Sequence, residues 1–244
     1  MNLKRSNSGV TLIELIIAVT LVSLLSTGMM MAIRLGLTSM EKTNEHINDN
    51  RKILSVNRII DSQIGGIMAV KADCLASGAN GLQIPFFQGE PDTMRFVSTY
   101  SLSDASRGYP MILEFHVVPG PQGARLIVNE SIYAGPSSTG RFCSQMAPNP
   151  LIDGQPAPAF IPVQTGSNSF VLIDRLASCR MLYREELKEP PYEKWWPVWN
   201  KPLLPSAIRI ELQPERSAIL RLPLVSITAP IRVTRNAMVP YVGN

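Results

Sequence analysis

MNLKRSNSG at residues 1–9 runs directly into VTLIELIIAVTLVSLLSTGMMMAI at residues 10–33. The first piece is short and polar, with positive charge at Lys4 and Arg5; the second has the roughly 20 apolar residues that carry a helix across a bilayer core. One carboxylate, Glu14, interrupts it near its start. An acid toward the middle of a membrane helix costs about 2.5–3.5 kcal/mol on insertion scales, so such a group normally has a partner and a role. Because Lys4 and Arg5 precede the span, the positive-inside rule places the N-terminus in the cytoplasm. Everything after Ile33 is then expected outside, in the periplasm or its equivalent.

Beyond the span the helix is expected to continue. Ile53, Val56, Ile60, Ile64 and Ile67 recur at spacings of three and four, the stripe of an amphipathic helix. Asn57, Arg58, Asp61 and Gln63 fall between them and face water. No proline precedes Pro85, and Gly65 and Gly66 suggest an end near Met68 to Lys71. A rod from Val10 to Met68 would be roughly 90 Å long at 1.5 Å per residue. Its second half needs a sheet over the apolar stripe, because such a helix is marginal in water by itself.

After Cys74 the texture changes to short β-rich runs cut by proline and glycine. The expected strands are Leu82–Phe87, Met94–Tyr100, Met111–Val118, Arg125–Tyr133, Ser169–Glu186, Ala207–Leu212 and Ala218–Leu222, with a last one near Ile231–Thr234. PGPQG at 119–123 and PNP at 148–150 supply turn chemistry between them. The fold class is therefore α+β: a long N-terminal helix packed on antiparallel sheet. Residues 10–33 form the membrane segment and residues 34–244 one outer domain, helical to about residue 70 and β-rich thereafter.

The glycine before the apolar run and the glutamate five residues beyond it resemble the start of type IV prepilins and pseudopilins. Gly9, Val10, Thr11, Leu12, Ile13, Glu14 and Leu15 carry the resemblance. It implies that residues 1–9 are a leader peptide, that a membrane prepilin peptidase cuts after Gly9, and that the new N-terminus, Val10, is methylated. Most members carry phenylalanine where this chain has Val10, a departure that touches methylation more than cleavage. The resemblance also implies that Glu14 pairs with the N-terminal amine of a neighbouring subunit. A buried carboxylate facing an ammonium removes two desolvation penalties at once.

Other readings of the N-terminus fit less well. A secretory signal has an apolar core of about 7–15 residues and a small-x-small cleavage site, whereas this run extends from Val10 to Ile33 without an Ala-x-Ala. A plain anchor leaves Glu14 unexplained, and a buried helix of a soluble protein rarely reaches this length.

A second resemblance covers more of the chain. FVSTYSL (96–102), LEFHVV (113–118), RLIVNESIY (125–133), LIDRLASCRMLYREEL (172–187), a tryptophan-rich stretch and LPSAIRIEL (204–212) look like the J-type minor pseudopilin of type II secretion. Tyr183, Trp195, Trp196, Trp199, Leu204 and Pro205 occupy its characteristic places. Implied partners are the I- and K-type minor pseudopilins at a filament tip, the major pseudopilin and the prepilin peptidase, in the bacterial inner membrane. Retention of Glu14 favours the J or I type over the K type. Minor pilins of type IV pili share the leader and the size and remain an alternative, including an adhesin that binds through aromatic rings.

Composition adds exclusions. The formal charge of +4, from 23 Lys+Arg and 19 Asp+Glu, falls to +2 once Lys4 and Arg5 leave with the leader. No basic block marks a nucleic-acid partner. Cys74 (KADCLASG) and Cys143 (GRFCSQMAP) sit in loop-like surroundings where an oxidising compartment could join them, though spacing alone leaves the connectivity open. Cys179 alternates with Met181 and Tyr183, as a buried strand thiol would. His46 and His116 stand in no metal-ligand spacing, Asp49 and Asp153 lack the alternating acids of an oxygen cage, and nucleophile elbow, P-loop and Cys-x-x-Cys are all absent. No cofactor, metal or catalysis is implied; a membrane-tethered hydrolase is the remaining enzyme reading. PPYEKWWPVWN concentrates Tyr192, Trp195, Trp196 and Trp199 in a proline-bounded stretch. Those rings either cap the domain's own core or form a partner-contact patch.

Overall fold

A stretch without proline builds α1 (Leu12–Gly65), 54 residues long. The computed structural model describes residues 10–74, 82–102, 107–148, 156–166, 169–215 and 225–239; the expected leader, residues 1–9, and the expected strand Ala218–Leu222 lie outside them. The chain divides into two units, Met1–Lys52 and Ile53–Asn244, and α1 crosses the division.

In the first unit every described side chain from Val10 to Lys52 is exposed. Leu12–Asn44 is long and apolar enough to cross a membrane. Its hydroxyls do not break that character. Thr20, Ser23, Ser26 and Thr27 each donate to a carbonyl three or four residues back, at 2.7–2.9 Å, which satisfies them inside the helix as a lipid environment requires.

The second unit opens with the last turns of α1, whose Val56, Ile60 and Ile64 are buried. The strands that follow are β1 (Ile67–Met68), β2 (Lys71–Cys74), β3 (Leu82–Pro85), β4 (Gln88–Gly89), β5 (Thr93–Tyr100), β6 (Arg107–Gly120) and β7 (Gly123–Ile132). A short helix α2 (Pro136–Gly140) precedes β8 (Cys143–Pro148), β9 (Pro156–Phe160), β10 (Ser169–Glu186), β11 (Glu193–Trp196), β12 (Ala207–Pro214) and β13 (Val225–Pro230). Nine strands form one antiparallel sheet in the order β1-β5-β6-β7-β10-β12-β13, with β4 on β5 and β11 on β10. β2–β3 and β8–β9 are separate two-stranded pairs. PGPQG makes the β6–β7 turn, where Gly123 holds φ +89°, a value that side chains resist.

Strand alternation assigns each core to a face. Phe96, Leu113, Phe115, Val128, Met181, Tyr183, Ile208 and Ile210 join Val56, Ile60 and Ile64 in the larger cluster. Their strand neighbours Val97 and Ile112 point the other way, into a second cluster with Phe86, Phe142, Cys74 and Cys143. The first six residues of β5 are consequently all buried.

Gln63, expected to face water, is fully buried and donates its Nε2–H to Glu130 Oε1 at 3.3 Å. Three elements also differ from expectation. The helix stops at Gly65, and Ile67 sits in β1 opposite Ser98 instead of closing the helical stripe. Ser98 Oγ donates to the Gln63 carbonyl at 2.7 Å and the Thr99 amide to the Gly66 carbonyl at 2.9 Å. β5 thus takes the carbonyls that a further turn would have used. Ile231–Thr234 is irregular; β13 is Val225–Pro230, which buries Ile227 and Ala229 against β12 and ends at a proline that lacks a ladder donor. β10 is one 18-residue strand that changes partner along its length. It pairs with β7 from Ser169 to Leu176 and with β12 from Leu176 to Arg184, across register shifts beside Arg175 at φ +56°.

Candidate functional site

Glu14 lies in the first turn of α1, where the helix dipole favours a negative charge. The Glu14 and Leu15 amides both donate to the Thr11 carbonyl, at 3.1 and 3.2 Å. The backbone here is therefore bonded while the carboxylate remains exposed. Val10 is also exposed and precedes the helix by two residues. Between Val10 and Ile33, Glu14 is the sole ionisable side chain. Gly9 lies outside the described residues. This segment presents an apolar helix with one charge.

Cys74, ending β2, and Cys143, opening β8, are joined in a disulfide with 5.4 Å between Cα atoms. It fastens the segment after β7 to the second core, where α2 also docks: Thr139 Oγ1 donates to the Lys71 carbonyl at 2.9 Å. Cys179 is a free thiol, and burial pushes it up to about 12, leaving it inert at neutral pH.

The four aromatic residues of the PPYEKWWPVWN stretch separate. Trp199 is 7% exposed and belongs to the larger core. Its amide donates to the Gly89 carbonyl at 2.8 Å and its Nε1 to the Leu203 carbonyl at 2.7 Å. A Cβ on Gly89 would stand 2.8 Å from the Trp199 Cβ, so only glycine admits this approach. Trp196 pairs across β10 with Tyr183, donates to Glu185 Oε2 at 2.8 Å and lies under Lys194 Nζ at 3.8 Å. Lys201 also ion-pairs with Glu185, and this ammonium, aided by the Trp196 N–H, holds the Glu185 carboxyl below its usual range. Trp195 sits opposite Arg184 and stacks on Arg209, whose Cζ is 3.9 Å from its ring centre. Tyr192 is exposed and held at φ +59°.

Sequence reading missed Arg95. It lies in the middle of β5 with no exposed surface, bonded to Glu114, Gln88 and the Ile161 carbonyl. Phe142 and Phe160 flank it at 5.6 and 5.9 Å. The available signal was a lone arginine among apolar strand residues. Among the described residues, no three His, Cys, Asp or Glu side chains converge to hold a metal ion. His116 Nδ1 meets Thr93 Oγ1 at 2.8 Å, and the same hydroxyl donates to Asp92 Oδ1 at 3.2 Å.

Residues 4–30 match a family model described as the prokaryotic N-terminal methylation motif. The match covers Val10, Glu14 and nearly all of the apolar stretch, which ends at Ile33. No curated protein matches the chain.

Proposed function

We propose that this chain, which carries the N-terminal methylation motif of type IV prepilin-like proteins, is a structural minor pseudopilin of the J type. In this reading it serves the tip of a type II secretion pseudopilus. The observation that carries the reading is Glu14, one exposed carboxylate in the first turn of a helix that is otherwise apolar through Ile33. A prepilin peptidase cuts after Gly9 and methylates Val10. The helix supplies the packing surface, and Glu14 meets the Val10 amine of an adjacent subunit as lipid is left behind. The β-rich domain stands in the periplasm and selects partners, with I- and K-type minor pseudopilins beside it and the major subunit below. The J-type assignment rests on the order of β5, β6, β7, β10, the tryptophan stretch and β12, and on the retained acid. The Cys74–Cys143 bridge suits an oxidising compartment.

Mass analysis of the mature protein tests the processing. The expected N-terminus is N-methylated Val10, and substitution of Gly9 should leave the full-length precursor. An intact Met1 in the native protein would overturn the reading. Co-purification then separates systems: recovery with I- and K-type minor pseudopilins supports type II secretion, whereas recovery with subunits of a type IV pilus supports the minor-pilin alternative.

A further inference from the structure

Two observations converge on the β10–β11–β12 corner. The first is the stack of Arg209 on Trp195. Arg209 Nε donates to Thr228 Oγ1 at 3.3 Å, and Arg209 has no ion pair among the described residues. Its neighbour Arg184 lies 6.0 Å from the same ring but is already committed, at 3.5 Å to Glu186 and 3.6 Å to Glu193. A guanidinium held over an indole is pre-oriented, and its N–H fork matches the geometry of a planar carboxylate. Glu211, the nearest acid along β12, lies across from Arg180 in the register. The second observation is Tyr192, a non-glycine residue held in the left-handed region with 64% of its surface exposed. Backbone conformations of that kind cost about 1–3 kcal/mol and collect at functional sites. Trp196 and Trp199 have their indole N–H groups bonded within the domain. Tyr192, Trp195 and Arg209 have the aromatic and arginine composition of interface anchors.

We infer that Tyr192, Trp195 and Arg209 form a docking site for a carboxylate-bearing segment on the folded domain of another subunit of the same filament. The Asp or Glu meets the Arg209 fork, and the hydrocarbon around it lies over Trp195 and Tyr192. Charge complementarity selects an acidic protein segment: the corner offers a guanidinium over the Trp195 ring with no ion pair among the described residues, whereas its neighbour Arg184 is matched to Glu186 and Glu193. The inference rests on the filament-subunit reading above.

The test uses the full-length chain in its own membranes, with the photo-crosslinker p-benzoylphenylalanine at position 192 in place of Tyr192. The expected adduct joins a segment containing Asp or Glu on another leader-bearing subunit. Arg209→Glu should lower the adduct roughly tenfold, the equivalent of one charged contact of about 1.4 kcal/mol. Arg209→Lys should lower it less, because charge survives without the fork. Replacing the crosslinked acid by Lys should restore the adduct in the Arg209→Glu chain. Retained Cys74–Cys143 oxidation and protease resistance show that the variants are folded. Trp195→Leu, which keeps the position apolar, should also lower the yield. Adducts only with lipid, adducts with a segment lacking carboxylates, no adduct at all, or yields unchanged by Arg209→Glu would overturn the inference. A mature N-terminus at Val10 in those same samples would show that the filament reading stands while this site fails.

Discussion

Arg95 on β5 donates its Nε–H to Glu114 Oε1 on β6 at 2.7 Å, with none of the arginine side chain exposed and 12% of the glutamate's. The two residues are directly opposite in the sheet, and they share a face with Val97 and Ile112. Charge in that position is tolerated because every edge of the guanidinium is used. Nη1 bonds Gln88 Oε1 at 2.6 Å, and Nη2 bonds the Ile161 carbonyl at 2.6 Å, pinning the segment after β9 onto the sheet. Removing one partner of a buried pair costs about 3–5 kcal/mol, whereas replacing both by apolar groups costs less. Arg95→Ala should therefore lower the urea midpoint sharply. Arg95→Met combined with Glu114→Leu should recover a large part of the loss. Urea titration followed by tryptophan fluorescence measures both; equal losses in the single and double variants would contradict a paired role.

The Cys74–Cys143 bridge spans 69 residues of sequence. Loop-closure entropy gives such a crosslink about 4 kcal/mol of stabilisation. Reduction, or Cys74→Ala with Cys143→Ala, should destabilise the outer domain by that order. The loss should fall first on α2 and β8–β9, which hold to β2 through Thr139 and the bridge. Hydrogen exchange resolves the location, and uniform deprotection of the whole sheet would contradict it.

Glu14→Ala should reduce incorporation into filaments roughly tenfold or more while leaving the outer domain folded, since the Glu14 carboxylate is exposed and has no ion pair among the described residues. Membrane insertion should improve, because an apolar residue replaces an acid in the span. Quantitative blotting of sheared filaments against membranes reads the ratio. A normal ratio would remove the pairing of Glu14 with a neighbour's amine.

Stability should fall in alkali. Tyr183 is fully buried, its hydroxyl donating to the Glu90 carbonyl at 2.8 Å; burial chiefly, and the Glu90 carboxylate in addition, raise it well above 10.0. Cys179 is pushed from 9.0 up to about 12 by burial. Both groups are neutral when protonated, so the unfolded chain releases these protons before the folded one does. Their contribution is complete below about pH 9 and declines as pH rises, through about 12 for Cys179, with a limiting slope of about 1.4 kcal/mol per pH unit for each group. Tyr183→Phe should cost about 1 kcal/mol at pH 7, because the Glu90 carbonyl loses its donor. The same change should flatten the decline above pH 10. Urea midpoints at pH 7 to 11 check both effects.

Features written in local pattern were legible before the fold was known. The span from Val10, the acid at Glu14 and the proline-free helix are statements about consecutive residues, and α1 follows them almost to its end. Alternation placed β5, β6, β7, β10 and β12 within a few residues, because a strand with a buried face has period two wherever it pairs. Local pattern could not say where the helix yields. Ile67 satisfies the helical spacing, yet Ser98, 31 residues onward, competes for the backbone there.

Long-range packing decided the remainder. Four rings in one stretch are equivalent in sequence; register against β10 turns Trp196 toward Tyr183 and Trp195 toward Arg184, and the glycine at Gly89 admits Trp199 to the core. Arg95 is buried because β4, β6 and the Ile161 segment close around it. The amino-acid sequence by itself determined a long apolar helix with one charge and the order of the strands, because these depend on neighbours along the chain. Which side chains are buried, which cation is left over and which thiols meet belonged to the tertiary structure, because each depends on residues brought together from distant points.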